Sequence, residues 1–355
     1  VKESLMSVTL KDIASKAQVS ISTVSRIIND DKTKPASPET AETVWRIVRE
    51  LGYVPNQNAR KLVFNQTDPD ALPKTKALGC IFTSVSDTYN DPFFSAITRG
   101  IQAEAARRGY LIGYAYTSCT MTESALYNNL TANPVDGAIV MGRFSTDFLQ
   151  FLKRNIKNLV YTGLNYVGGG FDEVICDAYQ ATQTGVRHLA ALGHRKIGYL
   201  GAIPGRDALD VRNEHRFAGY RAVLEQQQIL YNEDYVKNIE LTTEAAYLGM
   251  REILKRKCLP TAFFCANDLV AIGAMKAIHE AGLKIPEEIA VIGIDDIDLA
   301  AYVRPALSTV RVPKEELGKF AVKILIDRIE GGHVLPVRLD LPFELVIRES
   351  CGGEE

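Results

Sequence analysis

The chain has 355 residues, of which 46% are hydrophobic and 24% charged, with a net charge of −2. That length suits two or three packed units at roughly 100–200 residues each, and the average composition excludes a disordered chain, a collagen and a coiled-coil rod. The charge is uneven: residues 1–62 hold ten Lys/Arg against seven Asp/Glu, a balance of +3 that leaves −5 on the rest and hints at a nucleic-acid-binding head on an acidic body.

The first 62 residues read as short helices. Leu10, Ile13, Ala14 and Ala17 recur at helical spacing. Val19-Ser20 makes a turn, with Ser20 as N-cap of a second helix whose inward side is Val24, Ile27 and Ile28. A third helix takes Ser37 as N-cap and Pro38 at its first position, turns Ala41, Val44, Ile47, Val48 and Leu51 inward, and stops at Gly52. Pro55-Asn56 opens a fourth short stretch from Gln57 to Leu62, and residues 63–76, with two prolines and little periodicity, form a linker.

From Ala77 apolar runs alternate with helical periods. Strands are predicted at 78–83, 111–116, 137–141, 159–162, 196–201, 262–265 and 289–294, with amphipathic helices such as 93–108, 178–192, 214–228, 243–255 and 268–281 between them. The fold class is α/β: an all-α head, then parallel sheets with helices on both faces. The alternating stretch exceeds one comfortable doubly wound domain, so two similar subdomains with a cleft between them are expected.

Enzyme signatures are missing: there is no GxGxxG, Walker A loop, GxSxG or HExxH. His188 and His194 cannot share a helical face, because His194 follows Gly193 beyond the predicted helix. The six cysteines (Cys80, Cys119, Cys176, Cys258, Cys265, Cys351) are scattered without CxxC pairing and read as reduced thiols. Neither a metal nor a cofactor is expected. No apolar run approaches the roughly 18 residues of a spanning helix, and Val1 to Ser7 lack the core of a secretion signal, which together suggest a cytoplasmic protein. Asp295-Asp296, after an apolar strand, fits either an acid/base or metal pair or a polar hook for a neutral ligand; adjacent residues point in different directions, which favours a single ligand contact. Asp296 is then expected to tolerate replacement.

The N-terminal segment is more specific. Two short helices joined by a tight turn, the second bearing small polar residues and one Arg outward, fit a helix-turn-helix. Ile21, Ser22 and Arg26 share the outward face, where Arg26 can bridge guanine O6 and N7. Thr9, Ser20, Thr23, Ser25 and Asn29 supply uncharged donors for phosphates. A small helical docking domain with merely exposed Ser and Thr is the plainer alternative.

Thr9-Leu10-Lys11-Asp12-Ile13-Ala14, Val19-Ser20 and Thr23-Val24-Ser25-Arg26 resemble the head of the LacI/GalR family of bacterial repressors. Glu50-Leu51-Gly52-Tyr53-Val54-Pro55-Asn56 and Ala59-Arg60-Lys61-Leu62 continue the resemblance into that family's hinge helix. In the body Asp91-Pro92-Phe93-Phe94, Leu192-Gly193-His194-Arg195-Lys196-Ile197-Gly198, Ala266-Asn267-Asp268, Gly293-Ile294-Asp295-Asp296 and Leu307-Ser308-Thr309-Val310-Arg311 follow in the family's order.

The resemblance implies an effector-responsive transcriptional repressor and no enzyme. It places Ile21, Ser22 and Arg26 at base contacts, Asn56 among the DNA contacts and Leu62 as the wedge in the minor groove; the plainer reading of Leu62 is a core residue of a short helix. It implies a head at 1–62 and a two-lobed body at 77–355 resembling a periplasmic sugar-binding protein. The lobes would be 77–176 with 312–340, and 177–311 with 341–351. The cleft between them would include Phe93, Asn165, Arg216, Phe264, Asn267 and Asp295. Arg216 and Asp295 would each hold paired hydroxyls and Phe93 or Phe264 would stack on a sugar's C–H face, unless Phe93 is plain core and Arg216 an ion pair within the Glu214–Arg221 run.

The partners implied are operator DNA, a second copy of the chain and a small effector, a mono- or disaccharide first, in a cytoplasmic, nucleoid-associated protein. No heptad extension follows Arg348, so a dimer is expected and not a tetramer. A secreted solute-binding protein would share the body but lack the head, and a sugar- or nucleotide-acting enzyme would need an acid/base pair that is not found. Two departures stand out. Gln18 replaces the glycine usual at the turn, at a cost of about 1 kcal/mol if the backbone is unchanged, and the link between Leu62 and Lys74 is roughly ten residues longer than usual and acidic.

Overall fold

The computed structural model describes residues 9–28, 36–51, 75–83, 91–117, 135–143, 146–205 and 214–352. The chain forms two compact units, Val1–Pro73 and Lys74–Glu355. The assignments made at Asn29, Asn56, Leu62, the hinge helix and most of the linker lie outside the described residues.

In the first unit, α1 (Leu10–Ala17), α2 (Ile21–Ile28) and α3 (Pro38–Leu51) pack around Ile13, Ala14, Val24, Val44 and Ile47, with Leu10, Ala17, Val19 and Ile27 at the margin. Each helix starts on a polar cap. The Asp12 carboxylate accepts from Thr9 N (2.8 Å) and Thr9 Oγ1 (2.7 Å), and Ser20 Oγ and Ser37 Oγ accept from Thr23 N (3.1 Å) and Thr40 N (3.2 Å). Gln18 ends α1 in the left-handed region at φ 53°, so the turn keeps the backbone glycine would favour.

The second unit runs β1 (Ala77–Thr83), α4 (Pro92–Arg107), β2 (Leu111–Thr117), β3 (Gly137–Gly142), α5 (Thr146–Asn155), β4 (Leu159–Leu164), β5 (Asp172–Cys176), α6 (Ala178–Ala191), β6 (Ile197–Gly201), α7 (Arg216–Gln226), β7 (Val236–Asn238), α8 (Thr243–Ile253), β8 (Ala262–Cys265), α9 (Asp268–Glu280), β9 (Ala290–Asp295), β10 (Ser308–Arg311), α10 (Lys314–Glu330), β11 (Arg338–Asp340) and β12 (Glu344–Val346). Among the described residues the strands form two six-stranded sheets, ordered β11-β5-β4-β3-β1-β2 and β12-β10-β9-β8-β6-β7. All pairings are parallel except β10 with β12.

Order reverses at β1 in the first sheet and at β6 in the second, which is where doubly wound sheets open a crevice beyond their carboxyl ends. The chain passes between sheets after β5, after β10 and between β11 and β12. Helices α4 and α10 pack together so closely that a Cβ on Gly100 would lie 2.1 Å from the Glu315 carbonyl.

Five short strands escaped the sequence pattern: β5, β7, β10, β11 and β12. β5 opens with Asp172-Glu173, yet Asp172 is fully buried. Its carboxylate accepts from Arg328 Nη2 (2.8 Å), Val337 N (2.8 Å) and His333 Nε2 (3.0 Å), and also from Arg328 Nε, which seats β11 against it. At the entry to the unit, Asp136 accepts from Thr75 N (2.6 Å), Thr75 Oγ1 (2.8 Å) and Lys76 N (2.9 Å), clasping the chain just before β1. No helix among the described residues is long and apolar enough to cross a membrane.

Candidate functional site

In the first unit the second helix presents the predicted reading face. Ile21 is half exposed and Ser22 exposed, while Thr23, Ser25 and Arg26 are partly buried at the helix flank. The Arg26 guanidinium folds back along the helix, donating from Nε to Ser22 O (3.2 Å) and from Nη2 to Thr23 Oγ1 (3.3 Å). Thr9 and Ser20 spend their hydroxyls on the caps, so what they bring to the surface is the positive end of a short helix.

In the second unit the predicted cleft residues stand at the carboxyl ends of strands or at the helix starts that follow. Asp91 caps α4 by accepting from Phe93 N (2.9 Å) and Phe94 N (3.3 Å), leaving Phe93 almost buried with its ring edge-on to Phe94 at 5.2 Å. Asn165 follows β4 in the left-handed region (φ 65°) and is buried. Asn267 caps α9, its Oδ1 accepting from Val270 N (2.8 Å). Arg143 after β3 lies 4.0 Å from Glu214, and the Tyr166 ring meets His215 at 5.0 Å; both contacts join residues following strands of one sheet to residues of the other lobe.

Arg216 and Asp295 are both buried, and each lies in the other's field. Arg216 is neither a lone ligand hook nor a surface pair. Its Nε donates to Glu214 Oε1 (2.8 Å), its Nη2 to Glu214 Oε2, and its Nη1 to the Ala266 carbonyl (2.6 Å). The fork expected to hold paired hydroxyls is therefore taken by Glu214. Burial pushes the Glu214 carboxyl up, but Arg216 outweighs it and holds the acid below its ordinary range.

Asp295 ends β9 at φ 127°, a backbone that L residues rarely adopt, and its Oδ1 is buried without a hydrogen-bond partner. Burial, then the neighbouring Asp268 carboxyl, push it well above the usual carboxylate range against the pull of Lys314 and Arg216. Asp268 is itself buried and raised to about 6 by burial, although it accepts from Thr309 Oγ1 (2.5 Å) and Ile297 N (2.9 Å).

Two expectations need correction. Phe264 has no accessible face: its ring fills the core between Gly185 of α6 and Ile292 of β9, so it does not stack on a ligand in this arrangement. Asp296 is no bystander. It accepts from Arg311 Nε (2.6 Å), at the end of β10 where the chain leaves the second sheet, and from Arg348 Nη2 (2.7 Å), just beyond β12, and so ties together segments of the second sheet. The ion-pair alternative for Arg216 within the Glu214–Arg221 run is the arrangement seen, with Glu214 and in the interior; sequence reasoning missed Arg143 across the cleft and Lys314, whose ammonium donates to the carbonyls of Asp295 and Asp296 (2.9 Å for the latter). Nothing local marks Lys314, which is brought to Asp295 by the chain's return to the first sheet. Among the described residues no cluster of His, Cys, Asp or Glu is suited to a metal.

A helix-turn-helix unit joined in one chain to a two-lobed α/β unit with a buried, unsatisfied acid at its carboxyl ends defines a class: a DNA-binding regulator with a ligand-binding body. Residues 9–56 match the family model "Bacterial regulatory proteins, lacI family", and residues 186–351 match "Periplasmic binding protein-like domain". The chain is 32% identical to the HTH-type transcriptional repressor MelR of Bacillus subtilis (strain 168), covering 97% of this chain and 98% of the relative. Two solved structures are also similar. A transcriptional regulator CelR–cellobiose complex has a TM-score of 0.71 at 28% identity, covering 97% of this chain and 99% of that one. A lac repressor dimer bound to operator and the anti-inducer ONPF has a TM-score of 0.75 at 27% identity, covering 98% and 99%. The chain belongs to the lacI family of bacterial regulatory proteins, a family of DNA-binding transcriptional repressors and not of enzymes.

Proposed function

We propose that this protein is a repressor whose grip on an operator is set by a small, hydroxyl-rich effector, a mono- or disaccharide first, held between the two lobes of the body. One observation carries the effector reading: the buried Oδ1 of Asp295 has no partner, at a strained residue on the carboxyl end of β9. A buried acceptor left empty costs about 1–3 kcal/mol, which a donor brought by a ligand recovers. Asn165, Asn267 and Arg216 would supply further polar contacts and Phe93 an apolar wall. The cellobiose of the similar CelR complex is a molecule of this chemistry.

In this reading residues 1–62 are the DNA-reading head. Ile21, Ser22 and Arg26 meet base edges; Thr9, Ser20, Thr23, Ser25, Asn29 and Asn56 meet the backbone; Leu62 wedges the minor groove. The body would be divided as 77–176 with 312–340 and 177–311 with 341–351, and would pair two copies to align their heads on a pseudo-palindromic site in the cytoplasm, at the nucleoid. The test is a thermal-shift screen of mono- and disaccharides with purines as a competing set, followed by operator gel shifts against any hit. A purine that binds while every sugar fails would replace the sugar reading. A hit that leaves operator affinity unchanged would separate the body's ligand from DNA control.

A further inference from the structure

Glu214 stands two residues before Arg216, almost wholly buried, and spends both carboxylate oxygens on that guanidinium. Arginine recognises phosphate and carboxylate through its planar fork, and it has five N–H donors in all. Here the fork faces Glu214 and a third donor goes to the Ala266 carbonyl at 2.6 Å, so Arg216 keeps two N–H groups and no net charge to offer. Glu214 also lies 4.0 Å from Arg143, on the opposite side of the cleft. Lys314, a third cation among the described residues at this end of the sheets, donates to the carbonyls of Asp295 and Asp296. Arg216 and Lys314 are thus held by protein acceptors, while the acceptor Oδ1 of Asp295, buried in the field of both, has no partner.

We propose that Glu214 sets the charge class of the effector: by occupying the fork of Arg216 it makes the cleft a receptor for an uncharged, hydroxyl-bearing molecule and shuts out phosphorylated or carboxylated sugars. The inference rests on the reading that the cleft is the effector site. An anionic ligand would bring a further negative charge beside the Glu214 carboxylate in a buried site, where like charges without new partners are costly. A neutral polyol donates to Asp295, accepts from the two remaining Arg216 donors, and leaves the Glu214–Arg216 pair intact. Specificity then comes from a group that need not touch the ligand at all.

The test uses the full-length protein and paired probes: glucose with glucose 6-phosphate, trehalose with trehalose 6-phosphate, cellobiose, gluconate, and inorganic phosphate alone. Binding is read by calorimetry and thermal shift for wild type, Glu214→Gln and the charge-keeping Glu214→Asp. Glu214→Gln should gain at least about tenfold in affinity for inorganic phosphate or a phosphorylated sugar, and Glu214→Asp should not. Wild type should prefer the neutral member of any pair it binds by a similar factor, a measurement that needs no variant and stands even if Glu214→Gln folds poorly. A wild type that takes the phosphorylated member as well as the neutral one, or a folded Glu214→Gln that gains nothing for any anion, overturns the proposal. A phosphate gain in Glu214→Gln with no sugar bound by wild type would uphold the role of Glu214 while removing the sugar reading. A bound neutral sugar without the anion gain would do the reverse.

Discussion

The head and the body treat their polar groups in opposite ways. In the head the side chains proposed to contact DNA are already engaged with their own helices: Thr9 and Ser20 in caps, Arg26 against Ser22 and Thr23, all at or near the surface. In the body a carboxylate is buried with one oxygen unmatched, on a strained backbone. A DNA-reading helix can afford satisfied, exposed groups because phosphates and bases come to it with salt and water to exchange. A switch site needs unmatched valence, because only a ligand that satisfies it better in one state than another can move an equilibrium.

The sharpest way to break this contrast is Asp295→Ala. Effector affinity should fall by roughly 1.5–3 kcal/mol for each lost charge-assisted hydrogen bond, enough to abolish the response, while operator affinity without effector stays near wild type. A normal effector titration for this variant would end the case for Asp295. The same residue carries a pH signature. Its folded, empty-site pKa lies above the unfolded value of about 3.9, so the folded state holds the proton more firmly, and body stability falls as pH rises from there through the raised pKa. A hydroxyl donating to the ionised carboxylate reverses that preference, so binding should release protons and tighten as pH rises across the same window. Calorimetry in buffers of different ionisation enthalpy reads this directly.

Next in size is Asp296→Ala, which separates a tie from a ligand. Removing the acceptor shared by Arg311 and Arg348 should lower the body's stability by about 1–3 kcal/mol with little change in intrinsic effector contacts. The Asp296 carboxyl is raised by burial but pulled further down by those two arginines, so its contribution is present above its ordinary pKa and lost as pH falls through the depressed one. Urea unfolding of the variant at two pH values checks both statements. A comparable change on the head side is Arg26→Ala, expected to cost about 1–3 kcal/mol per half-site and to relax preference at one base position, as gel shifts on single-base operator variants would show.

The smallest effect tests the head's own strain. Gln18→Gly should stabilise the head by about 1 kcal/mol, because φ 53° costs glycine nothing sterically. Scanning calorimetry of the full chain would register a later head transition, and an earlier one would mean that the Gln18 side chain contributes more than its backbone costs.

What could be foreseen followed from periodicity. Long apolar strands such as β1, β3 and β9 and helices such as α4 and α9 have repeats that survive any tertiary context. The short strands did not, since three to five residues show no period, and β5 begins with acids that only the distant Arg328 and His333 make tolerable inside. At the site, Asp295 stood out because it follows an apolar run, but its difference from Asp296 depends on Arg311 and Arg348, 15 and 52 residues away in the chain. Phe264 misled for a related reason. An aromatic near a strand's end looks like a stacking surface until the facing helix turns out to carry Gly185, whose missing side chain admits the ring into the core.

The clasp of Asp136 on Thr75 and Lys76 has an evolutionary side. Three hydrogen bonds from the last residues before β1 fix where the body begins, whatever precedes them. Insertions or deletions upstream then change the spacing to the head without shifting the register of the first strand, which is a seam along which heads and bodies can recombine.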